Sequence, residues 1–145
     1  MAMKEGDDVQ LNADCVRAVM LVLEHELTII DNGNILEQNR LSLEQICSRL
    51  PSFLNEDIFY AIYNLHQAGY LDVSIQWTSG RSVYACSVRD ITYAGHEFLN
   101  RIRDEKRWER VKGAAGAVRD YSLSAISSIA EGITNAAIAA YFSKS

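Results

Sequence analysis

The segment from Leu71 to Val88 restricts the fold of this chain more than any other feature. Apolar side chains alternate with polar ones from Leu71 to Trp77, which is the two-residue period of a half-buried β-strand. The next four residues, TSGR, have the composition of a turn, and residues 82–88 supply a returning strand. We therefore predict an antiparallel β-hairpin.

The capping signals of three helices precede the hairpin. Asn12 is a good N-cap, and the helix after it places apolar residues on one face. Ser42 and Gln45 match a capping box, in which each side chain bonds to the backbone of the other residue. Asn55 is the predicted N-cap of a third helix, which Gly69 ends in a left-handed cap. The inner face of the first helix comprises Val16, Val19, Met20, Leu23 and Leu27.

The order of these elements predicts the architecture. A short strand at residues 35–37 and a fourth helix capped by Thr92 complete the order helix, strand, helix, helix, hairpin, helix. We therefore expect a mainly α protein with a small β-hairpin, namely a winged helix-turn-helix domain over residues 10–112. The Gly-Ala-Ala-Gly at residues 113–116 predicts a break, after which residues 117–143 form an apolar C-terminal oligomerisation helix.

Charge is distributed unevenly along the chain. The net charge is −5 over 145 residues, but residues 1–100 contain six Lys/Arg against fourteen Asp/Glu, whereas residues 101–145 contain eight against five. The net negative charge of residues 1–100 repels phosphate, and the net positive charge of residues 101–145 attracts it. The predicted winged domain should therefore repel a phosphate backbone, and the C-terminal part should attract one.

The catalytic motifs that this sequence partly matches lack the residues that define them. His96-Glu97 begins a zinc-protease pattern, but that pattern requires a second histidine where this chain has Asn100. Residues 113–116 lack the Lys-Ser/Thr that follows a phosphate-binding loop, and no serine lies in a nucleophile elbow. The three cysteines are widely spaced, which favours reduced thiols. We therefore expect a cytoplasmic, non-enzymatic protein without a metal or cofactor.

The third helix is the element that winged domains most often place in the DNA major groove. Its sequence, NEDIFYAIYNLHQAGY, has no Lys or Arg, so the phosphate clamps that supply most DNA affinity are missing. We therefore expect a protein partner. The alternative is a DNA-binding transcriptional regulator, in which Asn64 and Gln67 read adenine and Arg81 enters a minor groove. The predicted partner-binding residues are Tyr60, Tyr63, Asn64, Gln67 and Arg81.

Arginines recur on the predicted fourth helix. Arg103, Arg107 and Arg110 follow at i, i+4 and i+7, and two glutamates lie between them. Such alternation is typical of a solvated, salt-bridged helix face. The competing interpretation is that these three arginines, together with Arg81, bind nucleic acid.

The C-terminal segment is apolar along one side. Its isoleucines and alanines alternate by three and four residues, the spacing of a coiled-coil seam, and we expect homo-oligomerisation through them. A membrane-acting defence effector that uses residues 122–142 is a second alternative. Glu131 and four serines oppose insertion, so we do not expect a membrane partner. The predicted oligomerisation residues are Ile126, Ile129, Ile133, Ala136 and Ala140.

Three segments of the chain match a known pattern: LNADCVRAVMLVLE, HQAGYL and, above all, RDITYAGHEFLNRIRDEKRWERVK. Over about residues 10–112 they resemble a phage- and prophage-encoded family of unknown function, and this resemblance implies a winged-helix fold. It supplies no activity, substrate or catalytic residue. It implies a small protein of mobile elements, among which regulators, inhibitors of host machinery and defence components are common. We therefore expect a regulator or inhibitor of host or phage machinery.

The start of the predicted fourth helix carries a second resemblance. The spacing of Thr92 and Gly95 resembles that of the helix after the wing in many bacterial transcription regulators. Those proteins usually have a basic third helix, and this chain departs from them at that helix.

Overall fold

The computed structural model describes residues 10–144 and divides them into six helices and five strands. The chain is mainly helical with small antiparallel sheets, as the sequence predicts. In chain order the elements are α1 (Ala13–Glu26), β1 (Ile29–Asp31), β2 (Leu36–Gln38), β3 (Leu41–Ser42), α2 (Leu43–Arg49), α3 (Asn55–Gln67), β4 (Leu71–Trp77), β5 (Val83–Ile91), α4 (Tyr93–Ile102), α5 (Glu105–Val118) and α6 (Leu123–Ser143).

The β-hairpin is formed by β4 and β5, and a two-residue strand extends it into a sheet. β4 and β5 are antiparallel, with Ile75 opposite Cys86. β3 pairs with the other edge of β5 through Leu41 opposite Val88, so the strand order is β3-β5-β4. The predicted hairpin is confirmed.

The short strand expected at residues 35–37 lies in a different hairpin. β2 begins one residue later and pairs with β1, with Ile30 opposite Glu37, as a separate two-stranded sheet. Gly33 takes a φ of 97° in the turn between them, a conformation that glycine adopts without a Cβ clash. The strand that joins the main sheet is β3, because Leu41 is buried there while β1 and β2 are exposed along their whole length.

Three of the four predicted N-caps are confirmed. Asn12, Ser42 and Thr92 each accept a hydrogen bond from the backbone N–H three residues later, and Ser42 belongs to a complete capping box. The prediction for Asn55 is wrong, because Asn55 is the first helical residue of α3. The N-cap of α3 is Leu54, which makes no side-chain hydrogen bond. Two acidic residues in the first turn complement the dipole of this helix instead.

The predicted fourth helix is in fact two helices. α4 ends at Ile102, and the Oδ2 of Asp104 accepts a hydrogen bond from the backbone nitrogen of Arg107 at 2.8 Å as the N-cap of α5. α5 then continues through residues 113–116. A single helix across Asp104 is wrong because this carboxylate caps a new helix. The break at residues 113–116 is also wrong, because Ala115 packs in the core and stabilises the helical conformation there.

One hydrophobic core runs from α1 to the first half of α6. Leu123, Ile126 and Ala130 of α6 are buried in this core, and α6 packs on both α4 and α5. The hydroxyl oxygen of Tyr70 lies 2.9 Å from the Oγ of Ser127, which joins the end of α3 to α6. The first half of α6 is therefore part of the body of the protein.

Gly95 allows α4 to lie against the chain that connects α3 to β4. A Cβ at Gly95 would lie 2.0 Å from the carbonyl oxygen of Tyr70. The same carbonyl accepts the backbone N–H of Thr92 at 3.1 Å, and the hydroxyl of Thr92 donates to the carbonyl of Gly69 at 2.6 Å. The ring of Tyr70 stacks on Phe98 with centroids 4.8 Å apart. Gly95 therefore allows α4 to pack closely against this connection.

The substitution Gly95→Ala should destabilise the protein by about 3 kcal/mol or more, because its methyl group meets backbone rather than a movable side chain. Gly113→Ala is the matched control. A Cβ at Gly113 meets nothing within 4 Å, so this change should raise stability by about 0.5–1 kcal/mol. Chemical denaturation followed by circular dichroism measures both. Equal effects of the two substitutions would contradict this account of Gly95.

α5 is anchored to α1 by a shared carboxylate. The Nε1 of Trp108 donates to the Oδ1 of Asp14 at 2.9 Å, and the Nζ of Lys112 lies 2.9 Å from the same oxygen. Burial alone would raise the pKa of Asp14, but the hydrogen bonds from Trp108 and Lys112 together hold it below its ordinary value. The charged form of Asp14 therefore stabilises the fold.

Asp14→Asn should reduce stability near neutral pH and weaken its dependence on pH in acid. The folded pKa of Asp14 is lowered, so its contribution is present above the unfolded pKa of about 4 and is lost as the pH falls through the folded value. Urea denaturation between about pH 6 and pH 2.5 measures this loss. The control Glu97→Gln, at an exposed position, should leave the profile unchanged. Parallel profiles for wild type and Asp14→Asn would refute the assignment.

Candidate interaction surface

The outer side of α3 and the β4–β5 hairpin enclose an aromatic depression. Its volume is about 360 Å³, and it is lined by Tyr63, Trp77, Thr78 and Arg81. Phe59 lies beside it, with its ring centroid 6.1 Å from that of Tyr63 and 6.0 Å from that of Trp77, which it meets edge-on. These separations are favourable for aromatic rings. We call Phe59, Tyr63, Trp77 and Arg81 the aromatic depression.

A second depression lies on the other flank of α3. It has a volume of about 450 Å³ and is formed where α3 approaches the connection between α5 and α6. Tyr60 and Asn64 of α3 face Arg119 and Tyr121 across it. Arg119 ends α5 in a left-handed conformation with φ 59°, and the connection to α6 begins at this turn. We call these four residues the polar depression.

The electrostatic character of the surface differs from that of a DNA-binding helix. α3 has no Lys or Arg, and Glu56 and Asp57 occupy its first turn. The cations nearby are Arg81 and Arg119, one in each depression. Beside Arg119, the backbone N–H of Ser122 lowers the pKa of the Asp120 carboxyl, which keeps a negative charge at the edge of the polar depression. The surface is therefore mixed in charge and rich in aromatic rings.

The five predicted partner-binding residues do not form a single cluster. Tyr63 and Arg81 meet in the aromatic depression, and Tyr60 and Asn64 lie in the polar one. Gln67 is exposed and lines neither. The Nδ2 of Asn64 donates to the carbonyl oxygen of Tyr60 at 2.8 Å, so one of its two amide hydrogens is already bonded within α3.

Four residues of this surface, Phe59, Trp77, Arg119 and Tyr121, are not among the predicted partner-binding residues. The spacing of Phe59 one helical turn before Tyr63 was a usable signal, as was the position of Trp77 at the solvent end of its strand. Arg119 and Tyr121 had no comparable signal. They reach α3 only because α6 turns back along α5.

The predicted arginine row is not one helix face. Arg103 lies between α4 and α5, where it pairs with Glu24 of α1 and donates to the Oδ1 of Asn100 at 2.7 Å. This hydrogen bond from Arg103 lowers the pKa of Glu24. Within the described range 10–144, Arg107 and Arg110 form no ion pair, so the interleaved glutamates do not neutralise them as predicted.

The predicted oligomerisation residues lie in two environments. Ile126 is buried within its own chain, and Ile129 and Ile133 are partly buried against the core. Ala136 and Ala140 are exposed. Among the described residues, α6 is the one helix that is long and apolar enough to cross a membrane, with 21 residues and a mean hydropathy of 1.2 over its most apolar window.

The three cysteines occupy poorly reactive positions. Cys15 and Cys86 are buried, and burial raises the pKa of the Cys15 thiol to about 12 and that of the Cys86 thiol to about 11. Burial also raises the pKa of Cys47. No group of three or more His, Cys, Asp or Glu side chains between residues 10 and 144 is placed to hold a metal.

Cys15 and Cys86 should resist alkylation in the native protein at pH 8, because a rise from 9 to about 12 lowers the thiolate fraction of Cys15 about 1000-fold. The same raised pKa values predict that stability falls as the pH rises above about 9. Mass spectrometry of the chain after increasing times with the alkylating reagent measures the rate of alkylation at each cysteine. A cysteine introduced at the exposed Ser79 is the reactive control, and equal rates at Cys15 and at this control would disprove the burial argument.

Comparison with known proteins places the chain in a family. No curated protein and no solved structure matches it. The family model described as hypothetical protein (DUF2513) matches residues 10–119, from the start of α1 to the turn after α5. Since the match covers most of the 145 residues, the chain belongs to the DUF2513 family of hypothetical proteins.

Proposed function

We propose that the chain is a non-enzymatic winged-helix protein of phage or prophage type that acts by binding another protein through α3 and the β4–β5 hairpin. The order of elements supports this fold, since α1, β3, α2, α3 and the β4–β5 hairpin come in the order of a winged helix-turn-helix domain, with the separate β1–β2 hairpin inserted between α1 and β3. The pairing of β3 with β5 supports it as well. In this assignment α3 is the helix that such domains present to a partner, and the hairpin is the wing.

The aromatic depression is the observation that carries the proposal. Tyr and Trp side chains are enriched at the energetic centres of protein interfaces, because they bury large areas with few rotatable bonds. Trp77 is 51% exposed, yet Phe59 and Tyr63 already hold its ring edge-on. A side chain held in this way loses little conformational freedom on binding, which favours recognition by a complementary protein surface.

Duplex DNA is a poorer fit to the same face. Phosphate contacts supply most of the affinity of DNA-binding proteins, and the first turn of α3 offers Glu56 and Asp57 rather than cations. Bidentate reading of adenine uses the oxygen and one amide hydrogen of an Asn side chain. The hydrogen bond from Asn64 to Tyr60 occupies the other amide hydrogen, or the same one, and so restricts how this amide can turn towards a base. These features favour a protein partner over a regulator that binds DNA.

Site-specific photo-crosslinking should capture the partner next to α3. Gln67, which is exposed and lines neither depression, is replaced by a photo-crosslinking phenylalanine derivative in cells that express the chain. We expect one discrete heterologous protein adduct. Tyr63→Ala or Trp77→Ala should reduce its yield about thirtyfold, because truncation of a central aromatic residue costs about 2 kcal/mol of binding energy. Mass spectrometry of the adduct identifies the partner.

Tyr93→Ala is the matched control, because Tyr93 is 81% exposed on α4, away from both depressions. It should leave the adduct unchanged, and thermal melts of all variants check folding. An adduct insensitive to both aromatic substitutions would count against this surface. Binding to random duplex DNA at about 50 mM salt, lost in Arg81→Ala, would support the DNA-binding regulator instead.

A further inference from the structure

α6 extends beyond the helix on which it packs. α5 has 14 residues and α6 has 21, and a short connection that begins at the left-handed Arg119 joins them. At 1.5 Å per residue, the difference corresponds to about 10 Å of helix without α5 beside it. The buried residues of α6 are Leu123, Ile126 and Ala130, all in its first half, whereas every residue from 135 to 144 is exposed.

The exposed part of α6 is apolar on more than one side. We call residues 135–144 the distal segment. It contains no charged residue before Lys144, and its exposed side chains include Ile138 and Tyr141, at 52% and 73% exposure. Helices that are apolar around their circumference are normally covered in the functional state. The remaining small residues that surround Ile138 are Ala136, Ala137, Ala139 and Ala140.

The charges at the two ends of the distal part of α6 are complementary. Glu131 precedes the distal segment and Lys144 ends it, with no other charge between them. An antiparallel pair of copies, centred between Ala137 and Ile138, brings the Glu131 end of each copy to the Lys144 end of the other. A parallel pair brings like charges together. From these charges we propose that two copies of the chain pair in antiparallel orientation through residues 131–144 of α6.

The shape of the protein agrees with this orientation. In an antiparallel pair, the two bodies lie at opposite ends of about 20 Å of shared helix. In a parallel pair they lie side by side, where the net negative charge of residues 1–130 of each copy, eighteen Asp/Glu against thirteen Lys/Arg, would repel. The alanines around Ile138 lack bulky side chains and let two helix axes approach closely. This pairing is argued from α6 alone and does not depend on the proposed function.

A membrane is a poorer occupant than a second copy. The part of α6 beyond its buried residues, residues 131–144, is about 20 Å long, whereas a bilayer core is about 30 Å thick. A full span would pull Leu123, Ile126 and Ala130 out of the core and place Glu131 in lipid. A second copy covers the distal segment without either change.

Sedimentation of the full chain over a range of concentrations tests the pairing. We expect a reversible monomer–dimer equilibrium, with dimerisation weakened about tenfold or more by Ile138→Asp, since pairing would bury the new charge. Ile29→Asp is the matched control at an isoleucine that is 68% exposed on β1, and it should have no effect. A monomer at every concentration, or a dimer unaffected by Ile138→Asp, would overturn the proposal. So would a monomeric chain that binds phosphatidylcholine–phosphatidylglycerol vesicles through residues 131–144.

Charge exchange tests the orientation. Glu131→Lys should weaken the dimer about threefold at low salt, and Lys144→Glu should do the same, because each places like charges together at both ends. The double variant Glu131→Lys/Lys144→Glu should restore wild-type dimerisation. In a parallel pair, residue 131 faces residue 131 and residue 144 faces residue 144, so like charges face each other in the wild type and in all three variants. Single substitutions without effect, or a double variant that fails to recover, would reject the antiparallel arrangement.

Discussion

The contact between Gly95 and the carbonyl of Tyr70 is the constraint on which the rest of the structure depends. It is possible because glycine has no Cβ, and it brings α4 against the end of α3. Thr92 secures the same junction by donating to both the Tyr70 and Gly69 carbonyls. The side chain of Tyr70 then extends the junction, through its ring on Phe98 and its hydroxyl on Ser127 of α6. This junction therefore fixes the hairpin, α4 and α6 relative to one another.

The proposed interaction surface is held in a fixed shape because one side of α3 belongs to the core. Ile58, Ile62 and Leu65 are fully buried on its inner side, and this packing holds the helix in place. Phe59 and Tyr63 emerge on the outer side, where Trp77 of the hairpin braces them. Aromatic side chains supported in this way keep their orientation without a partner. Such preorganisation lowers the entropic cost of recognition.

α6 combines two environments in one continuous helix. Its first half completes the core, and its second half is exposed although the composition changes little along it. The division is set by the length of α5, which ends before α6 does. The predicted row from Ile126 to Ala140 therefore spans both environments. Helical spacing identifies which residues share a face, but it does not show how far a neighbouring helix covers that face.

The sequence alone determined the local elements: the β4–β5 hairpin and the caps at Asn12, Ser42 and Thr92. These depend on side chains within a few residues of one another, so their signals are contained in short segments. Tertiary structure decided the partner of Arg103 on α1, the choice of β3 as the third strand, and the polar depression between α3 and Arg119. Those features join residues far apart in the chain, and they arise only when packing of the common core brings the helices together.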